Sequence, residues 1–518
     1  MKYHSHEELI QDLNLIQSKA TDTLTETFSI GTSVQDRDLK GIRLHLDNDD
    51  DLKPMVKLVG NMHGNEPTGR ELLIHLAKYI LYAHQLPKNQ GKRDLLLQRA
   101  RQILQNTDLW ILPTLNPDGF ARGKEGVCFG SNYNAGRTNE KSIDLNRNFP
   151  TWRDKGKTVD QLKKGRAKET QLAMDWILQH PFVLSANFHD GAVLVNYPFD
   201  DYRQPFQRGT GQISKTPDHE EFLAIAKSYT RPHPYMEDAT KVCEHWGYFR
   251  DGITNGAKWY EVLGGMQDFN YDFTNAMEVT VEVSCCKFSQ SYRLISEWNY
   301  NVESLISFVE MAQRGLRGYV KDADFNIVSG AEIQVEKLDG TETGWRQKNV
   351  TSDAKGRYWR ILLPGDYIIR AVKGDKVSVG QRVSFTEEQK FRRIDLIFDL
   401  ETESKSRPVV FTTESIEKTS ERSISTSKPL ISTTEPSSST SEPSISTTKV
   451  ASTTAKIVTE NTAIEDSEVS QDEKRTIEIS ESTVHELLDE KIETERQEDN
   501  QRMLNKLFKA KNALTFPG

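Results

Sequence analysis

Hydrophobic positions in the first 315 residues follow two alternating rhythms. The short apolar runs "MVKLVGN", "TDLWILPTLN", "FVLSANFH" and "AMEVTVEVS" read as strands. Between them, "PTGRELLIHLAKYILYAH" and "KETQLAMDWILQH" space their apolar residues at helical intervals. Such alternation predicts an α/β fold, with a mixed β-sheet flanked by helices and ligands gathering at the carboxyl ends of strands. In "EVTVEVS" valines alternate with Glu278, Thr280, Glu282 and Ser284, so one face of that strand is polar. A glutamate there is costly unless it is solvated, paired or functional.

The texture changes at residue 316. "LRGYVKD", "AEIQVEKLDG", "GRYWRILLPGDYIIRAVK" and "RRIDLIFDL" are short β-rich runs punctuated by turns such as Leu363-Pro364-Gly365-Asp366. They predict a small antiparallel β-sandwich over 316–400, after a larger domain over 1–315. From about residue 401 the chain turns Ser/Thr-rich ("STSKPLISTTEPSSSTSEPSISTT") and cannot bury enough apolar surface to offset chain entropy. Residues 401–518 therefore read as a disordered tail, in a secreted protein an O-glycosylated stalk. Near its end, "TVHELLDEKIETERQEDNQRMLNKLFKA" carries loosely helical spacing, the pattern of a short amphipathic or solvated helix.

Composition narrows the function. A net charge of -9, with both signs dispersed, leaves no basic footprint for nucleic acid. No apolar run approaches the roughly 20 residues that span a bilayer. The amino terminus "MKYHSHEELIQDL" lacks the apolar core of a secretory signal, which suggests either a cytosolic chain or one without its leader. Four cysteines, Cys128, Cys243, Cys285 and Cys286, allow three full pairings, or reduced and buried thiols. A bond between the adjacent Cys285 and Cys286 would be strained.

Candidate chemistry collects at the predicted strand ends. In "GNMHGNE", His63 and Glu66 follow one strand, and Pro67 suits a first helical turn. Zinc accepts histidine nitrogen and carboxylate oxygen, and catalytic sites use three protein ligands. His-x-x-Glu alone is weak, but His189 lies just past another apolar strand and supplies a third donor. "GRTNEKSIDLNRNFP" holds Arg137, Asp144, Asn146 and Arg147, and paired arginines with amide donors can hold a carboxylate. Downstream, "NGAKWYEVLGGMQDFNY" adds Tyr260 and Gln267.

The span from Tyr3 to about Leu400 resembles the zinc metallocarboxypeptidases, in the branch of carboxypeptidases D, E, N and M. The resemblance rests on "GNMHGNE", "GRELLIHLAKYI", "LPTLNPDGF", "IDLNRNFP", "NYPFDD", "TNGAKWY" and "GGMQDFNY". It implies one zinc ion on His63, Glu66 and His189, with Asp144 orienting a ligand histidine. It implies Glu282 as general base and Arg137 as the residue that polarises the scissile carbonyl. Asn146, Arg147 and Tyr260 would hold the terminal carboxylate of a substrate, while Asp200 and Gln267 would line the pocket for its last side chain. Peptides or proteins ending in Arg or Lys are the implied substrates. The implied enzyme works in the secretory route or extracellular space, a monomer is the default expectation, and residues 316–400 match the family's transthyretin-like module. Disulfides Cys243–Cys285 and Cys128–Cys286 are implied as well. The sequon Asn349-Val350-Thr351 is compatible with that route.

The chain departs from the family's usual Gly-Gly after the third ligand, having Asp190-Gly191, whose carboxylate is expected to point to solvent. The basic segment 151–168 is expected to be a solvated loop. A catalytically silent peptide-binding or matrix-adhesion protein on the same fold is the alternative, opposed by competent residues at every ligand position and at the base. An enzyme trimming acidic tails would want a basic residue where Asp200 stands.

Overall fold

The computed structural model describes residues 1–398, except 21–24, 47–49, 87–93, 129–133, 238–242, 244–247, 341–343, 388 and 390. The Ser/Thr-rich tail and the helix expected near its end lie outside the described residues. Eight strands form the main sheet: β1 (Thr25–Thr32), β2 (Asp38–Leu44), β3 (Met55–Gly60), β4 (Asp108–Leu112), β5 (Phe182–His189), β6 (Ala192–Tyr197), β7 (Ile253–Asn255) and β8 (Met277–Ser284). Their spatial order is β1-β2-β4-β3-β5-β8-β6-β7. The central four, β4, β3, β5 and β8, run parallel, and antiparallel pairs flank them. The sheet is mixed, as the sequence rhythm predicts.

Strand alternation divides the core. In β8, Val279, Val281 and Val283 join the apolar layer that also holds Leu72, Leu76 and Ile80 of the helix Thr68–Gln85. The opposite face carries Val59, Leu112, Phe149 and Phe269. On that second face the intervening residues of β8 point, so Glu278 and Glu282 both project where the site forms. Their fates differ: Glu278 is wholly buried against Lys57, and Glu282 reaches a cavity.

Residues Gly315–Ile397 build two smaller sheets around a separate core that includes Ile333, Val335, Tyr358 and Ile369. One contains β10 (Glu332–Lys337), β11 (Val350–Thr351), β13 (Gly365–Lys373), β14 (Lys376–Val377) and β15 (Gln381–Phe385). The other contains β9 (Gly315–Lys321), β12 (Arg357–Arg360), β16 (Phe391–Arg393) and β17 (Leu396–Ile397). The expectation of a purely antiparallel arrangement is corrected here, because β16 and β17 both pair with β9 in parallel. Period-two alternation carries no strand direction, and the whole first sheet acts as the long crossover that parallel pairing requires. Buried charge ties these sheets to the main one. Asp218 accepts from Arg360 at 2.5 and 3.0 Å and from Arg346 at 3.2 Å, and Trp359 donates its indole N–H to Leu52 O.

One further expectation changes in part, and one holds. Segment 151–168 is largely exposed, as expected, but is more ordered than a loop: it forms a 3-10 turn at Trp152–Asp154 and a short helix at Val159–Lys163, and Leu162 is buried. Several of its cations are paired, Arg153 with Asp201 and Lys155 with Asp272 among them. The cysteines are not reduced. Cys128 bonds Cys286 and Cys243 bonds Cys285, the pairing implied by resemblance.

Candidate active site

The turn after β3 brings the first two donors together. Asn61 takes a left-handed φ of 52°, and its amide donates to the carbonyls of His63 and Gly64 at 2.8 and 3.0 Å. Gly64 passes so close to Gly119 that a Cβ there would sit 2.1 Å from the Gly119 carbonyl carbon. Any side chain at 64 would push the loop off its seat. His189 ends β5, and across the sheet it is the register partner of Glu282 on β8. Three adjacent parallel strands thus deliver His63, Glu66, His189 and Glu282 to one end of the sheet.

Hydrogen bonding decides which nitrogen each imidazole offers. His63 Nε2 faces the Asp144 carboxylate at 3.1 Å, and His189 Nε2 lies 2.5 Å from Asn187 Oδ1. Both outer nitrogens meet acceptors, so they carry the protons and both Nδ1 atoms are bare. These Nδ1 atoms lie 3.1 Å apart, and 2.9 and 2.8 Å from Glu66 Oε2. Three unprotonated donors so close repel one another unless a cation lies among them. At Zn–N distances of ~2.0–2.1 Å a tetrahedral ion separates its ligand atoms by about 3.3 Å, so the spacing fits zinc. Burial lowers the His189 pKa to about 4, against the pull of the Glu66 charge, and so keeps the ring neutral. Burial would raise the Glu66 carboxyl, but His63 and the Lys287 ammonium beside it outweigh burial and hold it well below its ordinary range.

Nine of the eleven residues singled out in the sequence line one cavity of about 70 Å³: the three donors with Arg137, Asn146, Arg147, Asp200, Tyr260 and Glu282. The other two stand behind it. Asp144 holds His63 and also accepts from Arg137 Nε at 3.0 Å; burial opposes its ionisation, yet those two partners keep it ionised. Gln267 Nε2 donates to Asp200 Oδ1. A larger cavity, about 600 Å³ beside the disulfides, contains none of the eleven.

Glu282 Oε2 is buried and has no hydrogen-bond partner among the described residues. Burial first, then the charge of Glu66, pushes its pKa up to about 8, partly offset by Lys287 and Arg137. Arg137 reaches Glu66 Oε1 at 3.2 Å. Asn146 Oδ1 accepts the Met266 N–H, while Arg147 and Tyr260 are exposed at the rim.

Asp190 corrects an expectation. Its carboxylate does not point to solvent but is 2 % exposed, and Oδ2 accepts the Thr68 N–H at 2.9 Å, closing over the start of the helix Thr68–Gln85. The first N–H groups of a helix lack internal partners, so Oδ2 satisfies one of them, although burial holds the Asp190 carboxyl well above its usual range. Lys287 and Asn187 escaped the sequence reading. Lys287 Nζ lies 3.0 Å from Glu66 Oε1, and nothing in "CCKFS" marks it. Asn187 had a signal, since it sits two residues before His189 on one face of a strand.

The zinc carboxypeptidase family pattern matches residues 10–304. The carboxypeptidase N catalytic chain of Rattus norvegicus is 37% identical over 390 residues, which are 71% of this chain and 80% of that one. Carboxypeptidase Z of Gallus gallus is 36% identical over 421 residues, 76% of this chain and 61% of that one. Carboxypeptidase D of Drosophila melanogaster is 35% identical over 397 residues, 76% of this chain but only 27% of that protein's length.

Proposed function

The chain belongs to the zinc carboxypeptidase family, and on that premise we propose that it is an exopeptidase releasing carboxyl-terminal Arg or Lys from peptides or proteins. The observation that carries the proposal is the convergence, in one cavity, of a three-donor metal cluster, an unpartnered buried carboxyl and a second buried acid in a side-chain pocket.

His63, Glu66 and His189 would hold the ion. When bound, zinc supplies an acidified water and a Lewis acid for the scissile carbonyl. Glu282 takes the proton of the attacking water and returns it to the leaving amine. Its free Oε2 is the lone pair this needs. Arg137 donates to the oxyanion developing on the carbonyl, where fixed charge contributes most. Asn146, Arg147 and Tyr260 clamp the terminal carboxylate, so an internal peptide bond is not presented for cleavage. Asp144 keeps His63 and Arg137 in register. Asp200, held by Gln267, receives the guanidinium or ammonium of the last residue. A Cβ at Gly256 would fall 1.8 Å from Asp200 Oδ1, so glycine there keeps the pocket floor open.

The proposal includes one zinc per catalytic domain, the division of the chain at 315/316 into catalytic and transthyretin-like modules, and a monomer of the secretory route or extracellular space. Two disulfides support an oxidising compartment. The test is release of the last residue from matched peptides ending in Arg, Lys, Leu or Glu, with zinc, with chelator, and with Glu282→Gln. Release confined to Arg and Lys, abolished by chelator and by the substitution, is the expected result. A folded, zinc-loaded protein that releases nothing would move the chain to the silent binding class.

A further inference from the structure

Beneath the candidate site, three neighbouring parallel strands carry a buried polar column whose deeper members the mechanism does not use. Lys57 on β3, Ser185 on β5 and Glu278 on β8 lie side by side in register. Two residues further along come Asn187 and Thr280, again partners, and two further His189 and Glu282. Lys57, Ser185, Glu278, Asn187 and Asn270 have no exposed surface.

The column has a direction. Glu278 Oε2 accepts Lys57 Nζ at 2.6 Å, Ser185 Oγ at 2.5 Å and Asn270 Nδ2 at 2.9 Å. Its other oxygen, Oε1, faces Asn187 Nδ2 at 3.0 Å. Because Oε1 can only accept, Asn187 must turn its amide nitrogen toward Glu278 and its Oδ1 toward His189. That oxygen can in turn only accept, so His189 must carry its proton on Nε2. A proton shared between Lys57 and Glu278 would sit on the Oε2 side and leave this order unchanged.

We infer that Glu278, its second oxygen occupied by Lys57, dictates through Asn187 which nitrogen of His189 is protonated, and so presents Nδ1 as a bare donor to the metal position. Glu278, on the neighbouring strand β8, and Asn187, two residues earlier on β5, are thus positioning residues for the third ligand, while Lys57 balances the Glu278 charge. Partners outside a ligand shell typically change metal affinity about 10–100-fold. The inference rests on the reading of His63, Glu66 and His189 as a zinc site.

The decisive variant is the charge-balanced pair Lys57→Met with Glu278→Gln in the full chain. In that variant the Asn270 and Ser185 donors claim the amide oxygen introduced at position 278, so its amide nitrogen faces Asn187. Asn187 then reverses, its own nitrogen faces His189, and the His189 proton moves to Nδ1, into the ligand position. Zinc affinity, measured by chelator competition, should fall about 10–100-fold. In the metal-free protein, ¹⁵N-histidine resonances should show one ring changing from the Nε2–H to the Nδ1–H tautomer. Lys57→Met alone retains Glu278 and should keep the parental tautomer, even at lower stability. Asn187→Leu asks the same question one link closer should the pair not fold, and should weaken zinc to a similar extent. Parental affinity and tautomer in the folded variants would overturn the inference. A parent chain that binds no zinc would instead overturn the site reading itself.

Discussion

Gln267 Nε2 donates to Asp200 Oδ1 at 2.8 Å, in a position where both residues are almost wholly buried. Burial first, and then the neighbouring Asp268 charge, raise the Asp200 carboxyl well above its usual range. An acid this unwilling to ionise alone is stabilised when a cation enters beside it. Replacing it should therefore affect basic substrates specifically. Asp200→Asn is expected to cost peptides ending in Arg roughly 2–5 kcal/mol in kcat/KM, the usual loss when one partner of a buried charge pair is removed. Peptides ending in Leu should lose little. An unchanged preference for Arg would sink the pocket assignment.

The base makes a pH prediction for chelator-treated protein. The Glu282 pKa of about 8 in the folded chain exceeds its ordinary 4.5, so the folded state keeps a proton that the unfolded chain releases. This group therefore removes stability as pH rises from about 4.5 to about 8. Glu282→Gln abolishes that contribution. Thermal melts of both proteins in chelator should nearly coincide at the lower end of the window, with the variant gaining an advantage towards pH 8. A constant difference across the window would show that Glu282 is not the titrating group.

The interface charge behaves oppositely. Burial disfavours the Asp218 carboxylate, but Arg360 and Arg346 outweigh it and lower its pKa. Its contribution is complete above the ordinary carboxyl pKa and fades as pH falls through the depressed one. Asp218→Asn would leave the buried Arg360 guanidinium without its carboxylate and remove one carboxylate from Arg346, which keeps Glu221. A loss of about 3–5 kcal/mol in denaturant unfolding is expected. A loss below about 1 kcal/mol would mean that solvent reaches these arginines.

Cys128–Cys286 and Cys243–Cys285 anchor two consecutive residues, immediately after the strand carrying Glu282, to distant parts of the chain. Removing the first with Cys128→Ser and Cys286→Ser should lower stability by about 2–5 kcal/mol. Because Lys287 follows directly and contacts Glu66, zinc affinity should change in the same variant. If stability falls while affinity holds, the bond serves the fold alone.

Asp190 separates capping from charge. Asp190→Asn keeps an oxygen for the Thr68 N–H, whereas Asp190→Gly removes it. The glycine variant should be the less stable by about 1 kcal/mol, a typical worth for a helix cap, when unfolding is followed at neutral pH. Equal stabilities would mean that the bond to Thr68 contributes nothing net.

The amino-acid sequence by itself determined the rhythm of strands and helices, the polar face of β8 and the residue types at the strand ends. These follow from local periodicity and donor chemistry, which short stretches such as "GNMHGNE" and "EVTVEVS" carry in full. Tertiary structure decided the rest. A sequence reading sends Asp190 to solvent because a carboxylate is polar; only the helix start packed over it offers the N–H that buries it. Alternation cannot say that β16 and β17 run parallel to β9, because strand direction is set by a crossover of many residues. Nor can it pair Lys57 with the sequence-distant Glu278, or bring Lys287 to Glu66. Which charges neutralise each other, and which nitrogen of a histidine stays bare, depend on neighbours that exist only once the strands lie side by side.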